Sequence, residues 1–474
     1  MIIVLLILLP LIASILLFTN TLGKHSKTFA LVVSQITFIV SLVGGYAFTF
    51  ASNKILVIDL DLKKYLDLNI TMTMDALSLV LVTLTTLLVP IIIASSEKNE
   101  NRTSTFYAFI MLMELSLIGV FTASDMILFY IFWELALIPI FFITAFWGSG
   151  DTKRISIKFL IYTIVGSFAM LIAILYLYTL TSIPHGFDFK TILSLNLPYH
   201  IQIPIFLAFF LAFAIKIPLF PFHSWQVETY NSSPVQGSML LAGIMLKMGL
   251  YGIIRFILPL CKDVLFSEGS IIYILFITFG VLYGAIIAIN QAHIKKLIAF
   301  ASLSHVGIIA LGIFSNTKLG LHGSILQMFS HGVNVVGLFA CYNIIKKRTK
   351  TDIIKDLGGI ASQAPVFAVV FLIIVLANIS LPLTNSFVGE FLILLGVFQQ
   401  NIWIAIIAGL SIILGAIYML KMYQQVMYGT ASEASMGFKD LTKEEIMIFV
   451  PIVLLIFVIG IYPSLILHLL DQVI

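Results

Sequence analysis

The chain has 474 residues, of which 60% are hydrophobic and 10% charged, and its formal net charge is +4. A soluble globular protein carries about 25% charged residues, so this composition excludes that class. The small net charge argues against nucleic acid as a partner. The two cysteines, Cys261 and Cys341, are too few for a disulfide framework or for multi-cysteine zinc and iron–sulfur sites. The composition therefore predicts a polytopic membrane protein.

Long apolar runs give the number of membrane helices, because a helix needs about 20 apolar residues to cross a bilayer. The first run has no preceding positive charge and no small-residue cleavage site, so we expect a membrane helix there and not a cleaved signal peptide. Polar loops between the runs are short, which predicts one all-α membrane domain over residues 1–474. The predicted spans, numbered 1 to 14 in chain order, are about 1–18, 28–50, 76–95, 105–121, 124–146, 157–182, 201–219, 235–258, 270–290, 296–314, 320–345, 362–399, 402–428 and 446–468.

The distribution of lysine and arginine sets the orientation, because cytoplasmic loops of membrane proteins are enriched in positive charge. With the N-terminus outside, the inner loops hold 17 of the 26 basic residues, the outer loops hold six, and three lie within spans. This bias predicts that both chain ends face outward. The inner residues are Lys24, Lys27, Lys98, Arg102, Lys153, Arg154, Lys158, Lys295, Lys296, Lys346, Lys347, Arg348, Lys350, Lys355, Lys421, Lys439 and Lys443. The outer residues are Lys54, Lys63, Lys64, Lys190, Lys262 and Lys318.

Prolines interrupt two of the predicted spans. Span 7 contains Pro218 and Pro221 in AIKIPLFPFHSW, and span 12 contains Pro382 in ANISLPLTNSFVGE. Spans 4–8, about 105–258, and spans 9–13, about 270–428, form two sets of five with the interrupted span fourth in each. Because five is odd, the second set is inverted relative to the first. Paired broken helices in inverted repeats predict a transporter-like site near the bilayer midplane.

Ionisable residues within the spans are the first candidates for that site, because a charge at the bilayer centre costs at least about 2.5–3.5 kcal/mol. One alternative is structural: Glu134 and Lys216 form a buried ion pair, and Glu114 hydrogen-bonds a neighbouring helix. Such a pair is usually no better for stability than apolar packing, so we favour function for the set. Its members are Glu114 in span 4, Glu134 in span 5, Lys216 before the break in span 7, Lys247 in span 8 and Glu390 after the break in span 12.

Histidines lie in the spans between these charges. His223 follows the break in span 7, His305 lies in span 10, and His331 lies in span 11 between Ser330 and Asn334. The unperturbed histidine pKa of about 6.5 suits proton transfer, although a lone intramembrane histidine often serves only packing. No histidine has metal-ligand spacing. The mid-membrane residues, with water between them, therefore predict a lateral proton pathway, in which His322 has the weakest claim to a role.

Six stretches of the chain resemble a known family, the antiporter-like membrane subunits of proton-pumping NADH:quinone oxidoreductase, respiratory complex I. The resemblance covers about residues 70–430. It implies fourteen helices, two inverted five-helix repeats and one proton channel, with Glu134 and Lys216 as a pair, Lys247 as the central carrier, and His305 and His331 in the relay. The stretches are FWELALIP, AIKIPLFPFHSW, GIMLKMGLYG, HIKKLIAFASLSHVG, MFSHG and NSFVGEF.

Glu390 distinguishes among the subunits of that family. The resemblance implies lysine at this place in the L-type and N-type subunits and in multisubunit sodium/proton antiporters, and glutamate in the M-type (chain 4) subunit. We therefore expect an M-type subunit that couples electron transfer from NADH to quinone to proton pumping. Three alternatives remain open at this point: an N-type sibling, an Mrp-type cation/proton antiporter subunit, and a purely structural spacer.

The resemblance also carries expectations about cofactors and partners. The chain has no glycine-rich nucleotide loop and no cysteine cluster, so we expect no redox centre in it and a role in an enzyme only as a subunit. NADH, FMN, iron–sulfur clusters and quinone would belong to other subunits. The implied partners are the L-type and N-type subunits and the lipid bilayer. The implied location is an inner or plasma membrane, most simply the bacterial cell membrane.

The charge bias gives a direct test of orientation. A cysteine introduced at Lys350 should resist membrane-impermeant thiol reagents added from outside, because this loop belongs to the positive, inner side. A cysteine introduced at Lys190 is the matched control and should react under the same conditions. Labelling of a cysteine at position 350 from outside would contradict the predicted orientation.

Overall fold

The computed structural model describes residues 1–50, 55–61, 69–96, 103–182 and 186–471. Within these ranges, twelve helices are long and apolar enough to cross a membrane, and Ile2–Phe18 and Pro365–Asn378 are shorter apolar helices. The prediction of a helical, multi-pass membrane protein is confirmed. Of the basic residues used to predict orientation, Lys54, Lys63, Lys64, Lys98 and Arg102 lie outside the described residues, as does Ile474.

The chain forms two compact units. The first contains Met1–Ile217, Ile244–Ser270 and the residues from Leu469 onward. In it, Ala76–Ala94 and Ser104–Thr122 are almost entirely enclosed by other helices, so polar groups on them are kept from lipid. Its helices are Ile2–Phe18, Gly23–His25, Ser26–Phe50, Ala76–Ala94, Ser104–Thr122, Met126–Leu135, Leu137–Trp147, Thr152–Leu180, Phe189–Leu193, Tyr199–Lys216, Leu246–Gly252, Ile253–Ile257, Leu258–Leu260 and Lys262–Leu265.

The second unit contains Pro218–Gly243 and Ile271–His468. Its two enclosed helices are Ile294–Phe314 and Lys318–Thr349. The π-helical turn Leu241–Met245 crosses from one unit to the other along the chain. The remaining helices are Ser224–Ser232, Val235–Leu240, Ser270–Ile289, Ile354–Asp356, Ile360–Gln363, Pro365–Asn378, Asn385–Gln400, Ile402–Met427, Lys443–Ile461 and Ser464–Leu470.

A small two-stranded antiparallel sheet adds to the all-helical prediction. Leu56–Asp61 pairs antiparallel with Asn69–Met74, with Leu56 opposite Met74. The spacing of the apolar runs predicts a polar loop in this region. The alternation of apolar and polar residues in ITMTM, residues 70–74, was the signal for a strand, because strand side chains alternate between two faces.

The two spans that were predicted to be interrupted by proline, spans 7 and 12, are broken. In span 7 one helix ends at Lys216 and the next begins at Ser224. In span 12 one helix ends at Asn378 and the next begins at Asn385. Within the second break, Ser380 and Leu383 have φ angles of 59° and 74°, a left-handed conformation that is rare for residues with a side chain. The inverted relation between the two sets of spans stays a prediction.

Span 5 has a further interruption that the sequence analysis did not predict. Its first helix ends at Leu135 and its second begins at Leu137. Pro139 has no amide hydrogen to donate to the carbonyl of Leu135, four residues earlier, which explains the break. The interruption lies two residues after Glu134, so the helix geometry changes beside a candidate site residue.

Charged side chains outside the candidate site tie helix ends together. In the first unit, the guanidinium of Arg255 donates two hydrogen bonds to the carboxylate of Asp75, at 2.7 and 2.9 Å. Asp75 also caps the helix Ala76–Ala94 by accepting from the Ser78 amide. In the second unit, Arg348 donates to Glu445 at 2.6 Å. A bidentate arginine–carboxylate pair fixes orientation as well as distance.

Asp440 caps a helix that begins far from it in sequence. Its carboxylate accepts hydrogen bonds of 2.9 Å from the amides of Val366 and Phe367, in the first turn of Pro365–Asn378. Partial burial acts to raise the pKa of Asp440, but the amides of Val366, Leu441 and Phe367 and the charge of Arg348 outweigh it, so that the pKa is lowered. The ionised carboxylate is therefore the form that the fold stabilises.

Replacing Asp440 with alanine should lower the free energy of unfolding by about 1 kcal/mol, the usual loss for a helix cap. A carboxyl group whose folded pKa is depressed stabilises above its unfolded pKa and loses that contribution as pH falls through the folded value. The difference in melting temperature between wild type and Asp440→Ala should therefore be full at neutral pH and shrink toward pH 3. Glu433→Ala, at an exposed loop position, is the control. A constant difference across this pH range would contradict the capping role.

Candidate functional site

The candidate residues form one set in each unit. In the first unit are Glu114, Glu134, Lys216 and Lys247, which we call the acid–lysine set. Glu114 lies on the enclosed helix Ser104–Thr122 and is fully buried. Neither of its carboxylate oxygens has a hydrogen-bond partner among the described residues. This helix packs against Met126–Leu135, which carries Glu134.

Glu134 and Lys216 do not form the direct ion pair that the resemblance implies. Glu134 acts electrostatically on the Lys216 ammonium, but neither Lys216 Nζ nor Glu134 Oε1 has a hydrogen-bond partner among the described residues. The Lys216 ammonium instead lies 5.0 Å from the centre of the Trp133 ring. The structure thus shows an open arrangement of the two groups.

Lys247 is fully buried and lies in the short helix Leu246–Gly252. A π-helical turn precedes this helix at Leu241–Met245 and another follows it at Ile253–Ile257. Helix Leu246–Gly252 packs on Tyr199–Lys216, and a Cβ atom at Gly249 would lie only 2.5 Å from the Ile217 side chain. Glycine is therefore required for the close approach of the helix that carries Lys247 to the end of the helix that carries Lys216.

His305, His331 and Glu390, all in the second unit, form what we call the histidine cluster. His305 Nδ1 and Glu390 Oε1 are 2.8 Å apart, a hydrogen bond between two buried side chains. The His305 and His331 ring centres are 6.1 Å apart. The cluster unites spans 10, 11 and 12, so three residues identified separately in the sequence are neighbours in the structure.

Two polar residues bonded to the histidine cluster were not predicted from the sequence. Gln327 donates from Nε2 to Glu390 Oε1 at 3.0 Å, and Ser302 Oγ lies 3.2 Å from His331 Nε2. A Cβ atom at Gly389 would meet the Gln327 amide oxygen at 2.7 Å, so glycine makes room for this contact. Gln327 is four residues before His331, and Ser302 three before His305. These helical spacings could have identified both residues.

An amide network attaches the second half of span 12 to span 11. Asn334 and Asn385 exchange side-chain hydrogen bonds of 3.0 and 3.1 Å, and Asn334 also donates to Ser386 at 2.9 Å. Ser330 donates to the Asn385 carbonyl at 2.9 Å. The sequence analysis noted Ser330 and Asn334 only as flanking His331. In the structure they fix the start of the helix that carries Glu390.

His223 and His322 lie apart from this cluster. His223 follows the break in span 7, and its ring lies against those of Phe220 and Tyr283 with centre-to-centre distances of 5.7 and 5.0 Å. Within the described ranges, no hydrogen bond joins His223 to the histidine cluster, and its Nδ1 has no partner. His322 is buried nine residues before His331 on the same helix.

The two sets are suited to proton transfer. Five ionisable side chains on apolar helices, Glu114, Lys216, Lys247, His331 and Glu390, are at most 2% exposed. Histidine next to a carboxylate can accept a proton at one ring nitrogen and release one at the other. In the part of the chain that the structure describes, no three histidine, cysteine, aspartate or glutamate side chains gather as metal ligands would.

Comparison with known proteins agrees with the fold. Residues 123–415 match the model of the family described as "NADH:quinone oxidoreductase/Mrp antiporter, TM", which is more than half of the chain. The chain therefore belongs to this family of membrane proteins. Within the family it falls in the M-type, antiporter-like branch, as its similarity to the following relatives shows.

Two relatives and three solved structures illustrate the similarity. NADH-quinone oxidoreductase subunit M of Rickettsia typhi is 41% identical over 362 residues, 76% of this chain and 72% of that protein. NADH-ubiquinone oxidoreductase chain 4 of Marchantia polymorpha is 39% identical over 353 residues, 74% and 70% of the two chains. A chain of respiratory complex I from Thermus thermophilus, 30% identical, superposes with a TM-score of 0.90 over 100% of this chain and 98% of that one.

The other two structures share the fold at lower identity. The archaeal membrane-bound sulfane sulfur reductase has a matching chain with a TM-score of 0.89 and 21% identity, covering 99% of this chain and 77% of that one. The Mrp complex from Dietzia has one with a TM-score of 0.87 and 17% identity, covering 99% and 96%.

Proposed function

We propose that this chain is a proton-translocating membrane subunit of an NADH:quinone oxidoreductase. The observation that carries the proposal is the burial of the five ionisable side chains on helices of a membrane fold. A charge in this environment is costly, and packing alone gives no reason to retain it. Similarity to subunits of that name supplies the redox reaction to which proton movement is coupled.

The chain's own residues give each set a distinct task. In the histidine cluster, a proton could pass directly along the hydrogen bond between His305 and Glu390. The ring of His331 is the next one to that of His305, with 6.1 Å between the ring centres. In the acid–lysine set, the carboxylate of Glu134 would favour the charged form of Lys216 when the two groups approach, because opposite charges stabilise each other. Lys247 is the central carrier of the proposal, while Glu114 and His223 have accessory roles.

The proposal includes a place in a larger complex. The partners would be other membrane subunits, in particular those of the L-type and N-type, and the location a bacterial cell membrane or an inner membrane. NADH, FMN, iron–sulfur clusters and quinone would be bound by other subunits. This chain would contribute to the enzyme by moving protons.

Glu134→Gln tests the influence of Glu134 on Lys216 in the acid–lysine set. The amide keeps the size of the side chain but removes the charge that acts on Lys216, so NADH-driven quinone reduction and proton pumping should both fall on the order of tenfold or more. Glu134→Asp should be milder, because the charge is retained. Both activities are measured on membranes with equal amounts of assembled complex. Glu268→Gln, at an exposed position, is the control. Wild-type rates in Glu134→Gln would leave Glu134 with a structural role only.

Glu390→Ala tests the histidine cluster. The substitution removes the acceptor of the His305 and Gln327 hydrogen bonds, so proton pumping should fall on the order of a hundredfold. Glu390→Lys restores a titratable group and should retain part of the activity. Glu433→Ala, which removes an exposed loop carboxylate, should pump normally. If Glu390→Ala retained full proton pumping, the proton pathway would not pass through this cluster.

A further inference from the structure

The stabilisation of the buried ammonium of Lys216 is not explained by hydrogen bonds. Its side chain is 1% exposed, and Nζ has no hydrogen-bond partner among the described residues. A buried ammonium without acceptors is costly, so some neighbour must compensate for its lost hydration. Glu134 acts on it from a distance, but no direct ion pair is formed.

The aromatic ring of Trp133 is the close neighbour. Lys216 Nζ lies over this ring, 5.0 Å from its centre, inside the range of about 6 Å at which a cation is attracted to the electron-rich face. Trp133 is itself 1% exposed, and such an attraction is stronger where the groups are removed from bulk water. Indole is the strongest aromatic partner for a cation among the natural side chains.

Trp133 is held in place by other rings. The centres of Phe129 and Phe213 each lie 5.6 Å from that of Trp133. Phe213 belongs to the same helix as Lys216, and Phe129 to the same helix as Trp133. The ring thus joins the two helices that carry Glu134 and Lys216, and it occupies the position next to Glu134 in the chain.

We propose that Trp133 is a positioning residue for Lys216, and that its ring face holds the lysine ammonium in the open arrangement in which Lys216 does not contact Glu134. This inference rests on the proposed function, because it assigns the alternative partner of the same lysine. The ring takes up no proton. The ring face is a second position at which the buried ammonium of Lys216 is stabilised. The lysine can therefore move away from Glu134 while part of the cost of burying its charge is still offset.

Fluorinated tryptophan at position 133 separates electrostatics from packing. Fluorine withdraws electrons from the ring face and changes the ring's size little, so mono-, di- and trifluorotryptophan weaken attraction for a cation in steps. We expect NADH-driven proton pumping to fall progressively along this series, by about tenfold in total. Trp133→Phe should give an intermediate rate and Trp133→Leu the lowest. All variants are assayed in membranes with equal amounts of assembled complex.

Trp147 is the matched control, because it ends the helix Leu137–Trp147 that follows the interruption in span 5 and packs on aromatic rings, those of Phe106 and Phe109. The same fluorinated series at Trp147 should leave pumping unchanged. If the complex with Trp133→Leu fails to assemble, the fluorinated series at position 133 still tests the role of the ring face. A flat series at position 133, or a similar decline at both positions, would overturn the inference.

Lys216→Met separates failure of this inference from failure of the proposed function. Loss of pumping in Lys216→Met together with a flat Trp133 series would refute only the role of the tryptophan. Wild-type pumping in Lys216→Met would instead refute the role of the lysine, and with it both proposals for the acid–lysine set.

Discussion

The cost of placing charge in a low-dielectric interior governs this molecule. Apolar side chains account for most of the sequence, and each exception must be enclosed, paired or functional. The helices that carry Glu114, His305 and His331 are among the most enclosed in their units, while helices such as Lys443–Ile461 present mostly apolar side chains outward. Where a charge needs no functional freedom, as in the Asp75–Arg255 pair, the structure satisfies it with direct hydrogen bonds. At Glu114 and Lys216 it does not.

Breaks in regular helix occur close to these groups. Lys216 is the last residue before one break, Glu134 lies two residues before another, and Glu390 follows a third. A helix end leaves backbone groups without their usual partners, so membrane proteins tolerate it only where protein or water can satisfy them. The helix breaks and the buried charges therefore both depend on protein or water, and not lipid, around them.

The sequence was sufficient to predict the membrane class, which follows from composition. It also predicted the breaks in spans 7 and 12, because proline interrupts a helix, and the identity of the buried charges, because an ionisable residue stands out in an apolar span. It was not sufficient for the contacts. Lys216 rests on Trp133 because two helices bring an indole under an ammonium, and spacing within one chain segment does not encode that meeting. Gln327 could have been found from its position one turn from His331. The interruption beside Glu134 required attention to the missing amide of Pro139.

The π-helical turns on either side of Lys247 change how span 8 must be drawn. An α-helix advances about 100° per residue, and each π-helical turn holds roughly one residue more than a regular turn. A helical wheel drawn without interruption from Val235 is therefore wrong by about 100° at Lys247 and by about 200° beyond Ile257. An ideal helical wheel would place positions that share a face with Lys247 on the opposite face of the helix. Disulfide cross-linking or scanning mutagenesis planned on such a wheel would therefore target the wrong residues of this span. The lysine's direction is set by an irregular backbone and not by the apolar periodicity around it.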